Sequence, residues 1–131
     1  MNREWEAVKQ FQITFGHPVA EAPTMLDRER AQKRYNWMLE EINEFIEADE
    51  IVEQADAMID VIYFALGTLV EMGIKPDALF DIVQSANMAK LWPDGKPHYN
   101  IEGKTIKPPT WEDPHQKLQE EINKQYDAVY K

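Results

Sequence analysis

The stretch Ala55 to Val70, ADAMIDVIYFALGTLV, limits the fold more than any other part of the chain. It has the length and composition of a helix that is apolar on nearly every side, yet it carries Asp56 and Asp60. Such a helix belongs in an interior, where an unpaired carboxylate costs several kcal/mol. On a wheel at about 100° per residue, Glu53, Asp56, Asp60 and Gly67 share one stripe, flanked by Val52 and Val70 on one side and Phe64 on the other. Asp56 and Asp60 stand one turn apart, close enough for repulsion to raise one pKa unless a cation intervenes.

A second acidic run, Glu40, Glu41 and Glu44, lies on the edge of an earlier amphipathic pattern. That pattern starts at Asp27, a candidate N-cap, and carries Tyr35, Met38, Leu39, Ile42, Phe45 and Ile46 at helical spacing. The apolar phase shifts between Ile46 and Val52, which predicts a short turn within Glu47 to Glu53. Two antiparallel helices follow, and they bring Glu41 and Glu44 opposite the acids of the second helix. Carboxylates from facing helices, with no histidine or cysteine at helical spacing to them, make an all-oxygen set. It suits Mg²⁺, or Mn²⁺, rather than Zn²⁺. A di-iron bundle would need Glu-x-x-His within these helices, and the only such string, Glu112 to His115, is interrupted by Pro114.

The other helices flank this pair. Trp5, Val8, Phe11, Ile13 and Phe15 predict a first helix that Gly16 and Pro18 end, followed by a loop to Met25 in which His17 is satisfied by backbone. Gly73 ends the long helix, and Pro76 with Asp77 starts a fourth that runs to about Leu91. A lysine-bearing loop, PDGKPHYNIEGKTIKPPTWEDP, comes next. Its turns Asp94-Gly95-Lys96 and Glu102-Gly103-Lys104 bracket a candidate hairpin around Tyr99 and Ile101. Leu118, Ile122, Tyr126 and Val129 place a last amphipathic helix over His115 to Tyr130. The expected fold is all-α, a bundle of about five helices with a lysine-rich loop before the last.

A length of 131 residues with 44% apolar side chains suits one domain, 1–131. A net charge of −10 argues against nonspecific binding to nucleic acid or to an anionic membrane and makes divalent cations natural counterions. There is no cysteine, so thiolate chemistry is excluded and the reducing cytoplasm is the expected compartment. No apolar run approaches the roughly 20 residues that span a bilayer. No Gly-x4-Gly-Lys-Ser/Thr or Gly-x-Gly-x-x-Gly string occurs. Hard cations held by few carboxylates take phosphate oxygens as further ligands, which points to metal-assisted phosphoanhydride hydrolysis.

Glu40-Glu41-Ile42-Asn43-Glu44 spells Glu-Glu-x-x-Glu, and Glu53-Gln54-Ala55-Asp56 spells Glu-x-x-Asp. With DVIYFALGTLVEMGI from Asp60, ANMAK from Ala86 and GKTIKP from Gly103, the chain resembles the all-α NTP pyrophosphatase superfamily: the MazG-like proteins and their phosphoribosyl-ATP pyrophosphohydrolase-like relatives. The resemblance implies Mg²⁺-dependent hydrolysis of a nucleoside or deoxynucleoside triphosphate to the monophosphate and pyrophosphate, a nucleotide-pool house-cleaning activity. It implies that Glu41, Glu44, Asp56 and Asp60 hold metal with Glu53 in reserve, and that Glu40 or Glu41 orients the attacking water. Asn87, Lys90, Lys104 and Lys107 would contact base, sugar or phosphates. A homodimer or homotetramer is implied as well. The alternative from another class is a non-catalytic helical oligomer whose acids bind a structural cation or a partner protein.

Overall fold

The computed structural model describes residues 1–131, and it is a bundle of five helices with one small hairpin. The helices are α1 (Asn2–Thr14), α2 (Arg28–Glu47), α3 (Ile51–Glu71), α4 (Asp77–Met88) and α5 (His115–Tyr130). The strands are β1 (His98–Tyr99) and β2 (Thr105–Ile106), paired antiparallel. No helix is long and apolar enough to cross a membrane.

Local signals set the ends. Asp27 caps α2 by accepting a 2.8 Å hydrogen bond from the Arg30 N–H. Gly73, at φ +67°, closes α3 in a Schellman motif: its N–H reaches Val70 O, and the Ile74 N–H reaches Leu69 O. Any side chain at Gly73 would also collide with the 18–25 loop, because its Cβ would lie 2.5 Å from Ala22 O. The glycine thus serves both the turn and the crossing of that loop. The α2–α3 turn is shorter than the sequence suggested. Only residues 48–50 lie between the helices, so Val52 and Glu53 are already helical.

The core is small and lies between α1 and α3, where Trp5, Val8, Leu66 and Val70 pack together. The most deeply buried side chain of α2 is a charge: Arg34 reaches Glu71 on α3, whose side chain is fully buried, and Arg30 joins the same carboxylate from the edge. Gly67 leaves room for these polar side chains, because a Cβ there would stand 2.5 Å from Gln12 Oε1 and 2.9 Å from Arg34 Nη1 and would displace them. The periodic apolar residues of α2 have a different fate from a core face. Tyr35, Leu39, Ile42 and Ile46 are exposed, as are Ile51, Met58, Ile59 and Ile62 on α3. The expectation that α3 is buried all round therefore holds only from Phe64 to Glu71, where no residue is exposed.

The fourth and fifth helices pack on each other and carry the hairpin beside them. They are tied to the first three through Asn2 and Asp77, which cap each other's helices with bonds of 2.8 and 3.0 Å, and through Gln125, whose amide brackets the Lys75 backbone. The hairpin differs from the expected one. Glu102-Gly103-Lys104 forms its tip, so β2 follows at Thr105–Ile106 and Ile101 is fully exposed in the turn. Helix α4 stops at Met88, short of Leu91, and leaves Lys90 in the following turn.

Candidate active site

The short α2–α3 connection sets the two acidic runs face to face. Carboxylate oxygens of Glu41, Glu44 and Asp60 all lie within 4.8 Å of one another. Burial, and after it the neighbouring carboxylates of Glu44 and Asp60, push the Glu41 carboxyl up to about 7. Asp60 is raised as well, by burial first and then by the charge of Asp56. Glu41 Oε2 is buried without a hydrogen-bond partner, the state of a ligand atom that a cation would satisfy. The oxygen-only donor set and this orphaned atom fit a hard divalent ion.

A second acidic recess of about 260 Å³ adjoins the first, lined by Glu44, Glu47, Glu53 and Asp56. Glu44 belongs to both groups. Asp56 thus opens on the outer recess, and Glu53 accepts a 3.2 Å bond from the Asp49 N–H at the start of α3. Glu47, which the sequence pattern did not single out, completes the outer set. Glu40 is exposed and lies outside both groups.

Glu41 and Asp60 also form one wall of a cavity of about 400 Å³ whose remaining lining is Phe11, His17, Trp37, Tyr63 and Phe64. Phe11 meets Tyr63 edge-on at 5.6 Å between centroids and stacks with His17 at 6.0 Å, while Trp37 lies 6.1 Å from Phe64. Arg30 and Arg34 sit over the Trp37 ring at 5.1 and 5.2 Å. Sequence alone marks none of these aromatic residues as a site residue, and His17 lines this cavity instead of serving only its loop.

The basic residues gather elsewhere in the chain. Lys90 and Lys107 converge on the Trp111 ring, at 5.8 and 4.6 Å, beside a groove of about 560 Å³ between α4, the loop and α5. Trp111 is pinned by its Nε1–H, which donates to Ala86 O at 2.7 Å. Asn87 is exposed at the end of α4, and Lys104 sits at the hairpin tip, where its N–H donates to Asn100 Oδ1. Within one chain, then, the acids form one constellation and Asn87, Lys90 and Lys107 another.

The fold and the site are thus those of an all-α bundle with a carboxylate cluster fit for a divalent cation and an aromatic cavity beside it. The family model for phosphoribosyl-ATP pyrophosphohydrolase matches residues 8–87, and the chain belongs to this family, within the all-α NTP pyrophosphatase superfamily. Its chemistry is thus pyrophosphohydrolysis in general terms. The matched segment holds both acidic runs and ends at Asn87, before the lysine loop. A crystal structure of a protein from Exiguobacterium sp. 255-15, proposed to be an NTP pyrophosphohydrolase, is 32% identical with a TM-score of 0.54, covering 96% of this chain and 97% of that one. Among curated proteins none matches the chain significantly.

The raised Glu41 carboxyl makes a pH test available. Its folded value of about 7 stands above the usual 4.5, so between these limits the folded state holds more protons than the unfolded one. Metal-free protein is therefore expected to lose melting temperature as pH rises from about 4.5 to about 7, and saturating Mg²⁺ should flatten that slope. Thermal melts in EDTA and in Mg²⁺ across this range check it, and a flat metal-free profile would contradict the crowding of Glu41.

Proposed function

We propose that the chain, acting as a single domain over residues 1–131, is a Mg²⁺-dependent nucleoside triphosphate pyrophosphohydrolase that also accepts Mn²⁺. Water would attack the α phosphorus, the bond to the β-phosphate bridging oxygen would break, and pyrophosphate would leave with the monophosphate as second product. The observation that carries this reading is the buried, unpartnered Oε2 of Glu41, set among Glu44 and Asp60 on the wall of an aromatic cavity.

Glu41, Glu44 and Asp60 would hold the cation, with Asp56 and Glu53 on its outer side. The bound ion would neutralise charge on the phosphates and acidify a water. Glu41, half-buried and reluctant to ionise, or the adjacent Glu40 would orient that water and take its proton. Phe11, Trp37, Tyr63 and Phe64 offer flat faces on which a nucleobase can stack while its phosphates lie toward the acids.

Asn87, Lys90, Lys104 and Lys107 line neither the acidic recess nor the aromatic cavity of their own chain, so phosphate binding by them would be made across to another copy, and the apolar stripes on α2 and α3 supply a reason to associate. We therefore include a homodimer or homotetramer in the proposal. These stripes alone also suit the alternative, a non-catalytic oligomer with a structural cation or a partner protein, but that reading gives the aromatic cavity no role.

Purified protein with a panel of NTPs and dNTPs and Mg²⁺ should release pyrophosphate, and release from none would leave the alternative standing. Alanine at Lys90, Lys104 or Lys107 should then lower kcat/KM by on the order of 10-fold, about 1.4 kcal/mol, with the loss shrinking in high salt. Kinetics within error of the parent would mark them as solvated lysines.

A further inference from the structure

The aromatic cavity does not end at its ring walls. A recess of about 50 Å³ shares Phe11, His17, Trp37, Tyr63 and Phe64 with it and adds two polar residues, Gln12 and Arg34. Both are buried, at 2% and 4% exposure, which is unusual for side chains of this kind unless they are fully engaged. The Gln12 amide has a fixed sense: Nε2 donates to Pro18 O at 2.8 Å, and Oε1 accepts from Arg34 Nη2 at 2.7 Å. Arg34 Nε is committed to Glu71. Its Nη1 makes no hydrogen bond within the chain and stands against the bare Cα of Gly67. The floor is also electrostatically one-sided, because two guanidinium groups, Arg30 and Arg34, share the single carboxylate of Glu71.

We propose that Arg34, held in place by Gln12, makes this recess a selector for bases that carry a carbonyl oxygen at pyrimidine C4 or purine C6, and so favours uracil, thymine and guanine over cytosine and adenine. This rests on the reading that the cavity takes the base of the nucleotide. With the phosphates at Glu41 and Asp60 the sugar enters first from that wall, and the substituent farthest from the glycosidic bond, at C4 or C6, reaches the floor. A carbonyl oxygen there accepts from the spare guanidinium N–H of Arg34. An exocyclic amine would set its own hydrogens against donors, leaving buried polar groups unpaired, and such a mismatch is what a polar pocket rejects strongly. The recess has room for one such substituent and not for a second ring.

The test is calorimetric titration of the full-length chain with UMP against CMP and with GMP against AMP, in saturating Mg²⁺. The carbonyl member should bind at least about 10-fold tighter in whichever pair the cavity admits. Arg34→Lys keeps the charge that Glu71 needs but removes the Nη1 donor, and should bring that ratio close to one. A purely structural role for Arg34 would instead weaken both members alike and preserve the ratio. Equal binding by the parent protein, a preference for the amino members, or no binding of any of the four nucleotides overturns the proposal, even if Arg34→Lys fails to fold. Pyrophosphate release is read separately. Turnover without carbonyl preference would defeat the selector and leave the hydrolase standing, whereas carbonyl-selective binding without turnover would do the reverse.

Discussion

Glu44→Gln and Asp60→Asn should each lower pyrophosphate release by at least about 100-fold while leaving the fold intact. Groups that merely orient metal ligands cost about 10 to 100-fold when removed, so loss of a ligand itself belongs at or beyond the upper end of that range. Stability should not fall with activity. Glu41, Glu44 and Asp60 crowd within 4.8 Å, and neutralising one member relieves repulsion in the metal-free protein. The measurement pairs a pyrophosphate assay over a Mg²⁺ titration with thermal melting in EDTA. Near-parent activity in both variants would remove the metal from this cluster. Glu53→Gln and Asp56→Asn, made separately, grade the outer recess: a true ligand there shifts the Mg²⁺ dependence strongly, and a bystander leaves it unchanged.

The acidic core of this site was legible because carboxylates on an apolar helix violate its composition, and a helical wheel is enough to align Asp60 with its neighbours. The short loop then forces Glu41 and Glu44 to face it. The aromatic cavity was not legible for the opposite reason. Phe11, Tyr63 and Phe64 belong to the apolar patterns of α1 and α3, so each looks like a core residue until the helices are assembled, and Trp37 stands outside the apolar stripe of α2, on the face that carries Arg34 and Glu41. Periodicity likewise over-assigned the core of α2, where Tyr35, Leu39, Ile42 and Ile46 lie on the outside while Arg34 turns inward. Nothing local marks that arginine, because its partner Glu71 is 37 residues away. The hairpin was displaced for a simpler reason. Two acid-Gly-Lys turns were available, and only the strand register, with the Asn100 N–H donating to Lys104 O, decides that the second is the tip.

Glu71→Gln should be the most destabilising of these substitutions, by about 3 kcal/mol or more, because it leaves a buried guanidinium without its counter-charge. In a domain of this size such a loss corresponds to a fall in Tm of roughly 10 °C or more. The Glu71 side chain has no exposure and that of Arg34 only 5%, so water cannot replace the lost partner, whereas Arg30, at 22%, can turn outward. Burial alone would make the Glu71 carboxyl hard to ionise, but hydrogen bonds from Arg30 and Arg34 outweigh it and hold the group below the usual range. Its contribution is thus present above the usual glutamate pKa and disappears only as pH falls through the depressed folded value. The same guanidinium groups lie over Trp37, so their release should also loosen the wall of the aromatic cavity and weaken nucleotide binding. A double variant, Glu71→Leu with Arg34→Met, removes both buried charges and should recover much of the Tm lost in Glu71→Leu alone, while nucleotide binding stays weak. Equal destabilisation by the single and double changes would mean that shape, not an unpaired charge, governs this part of the interior.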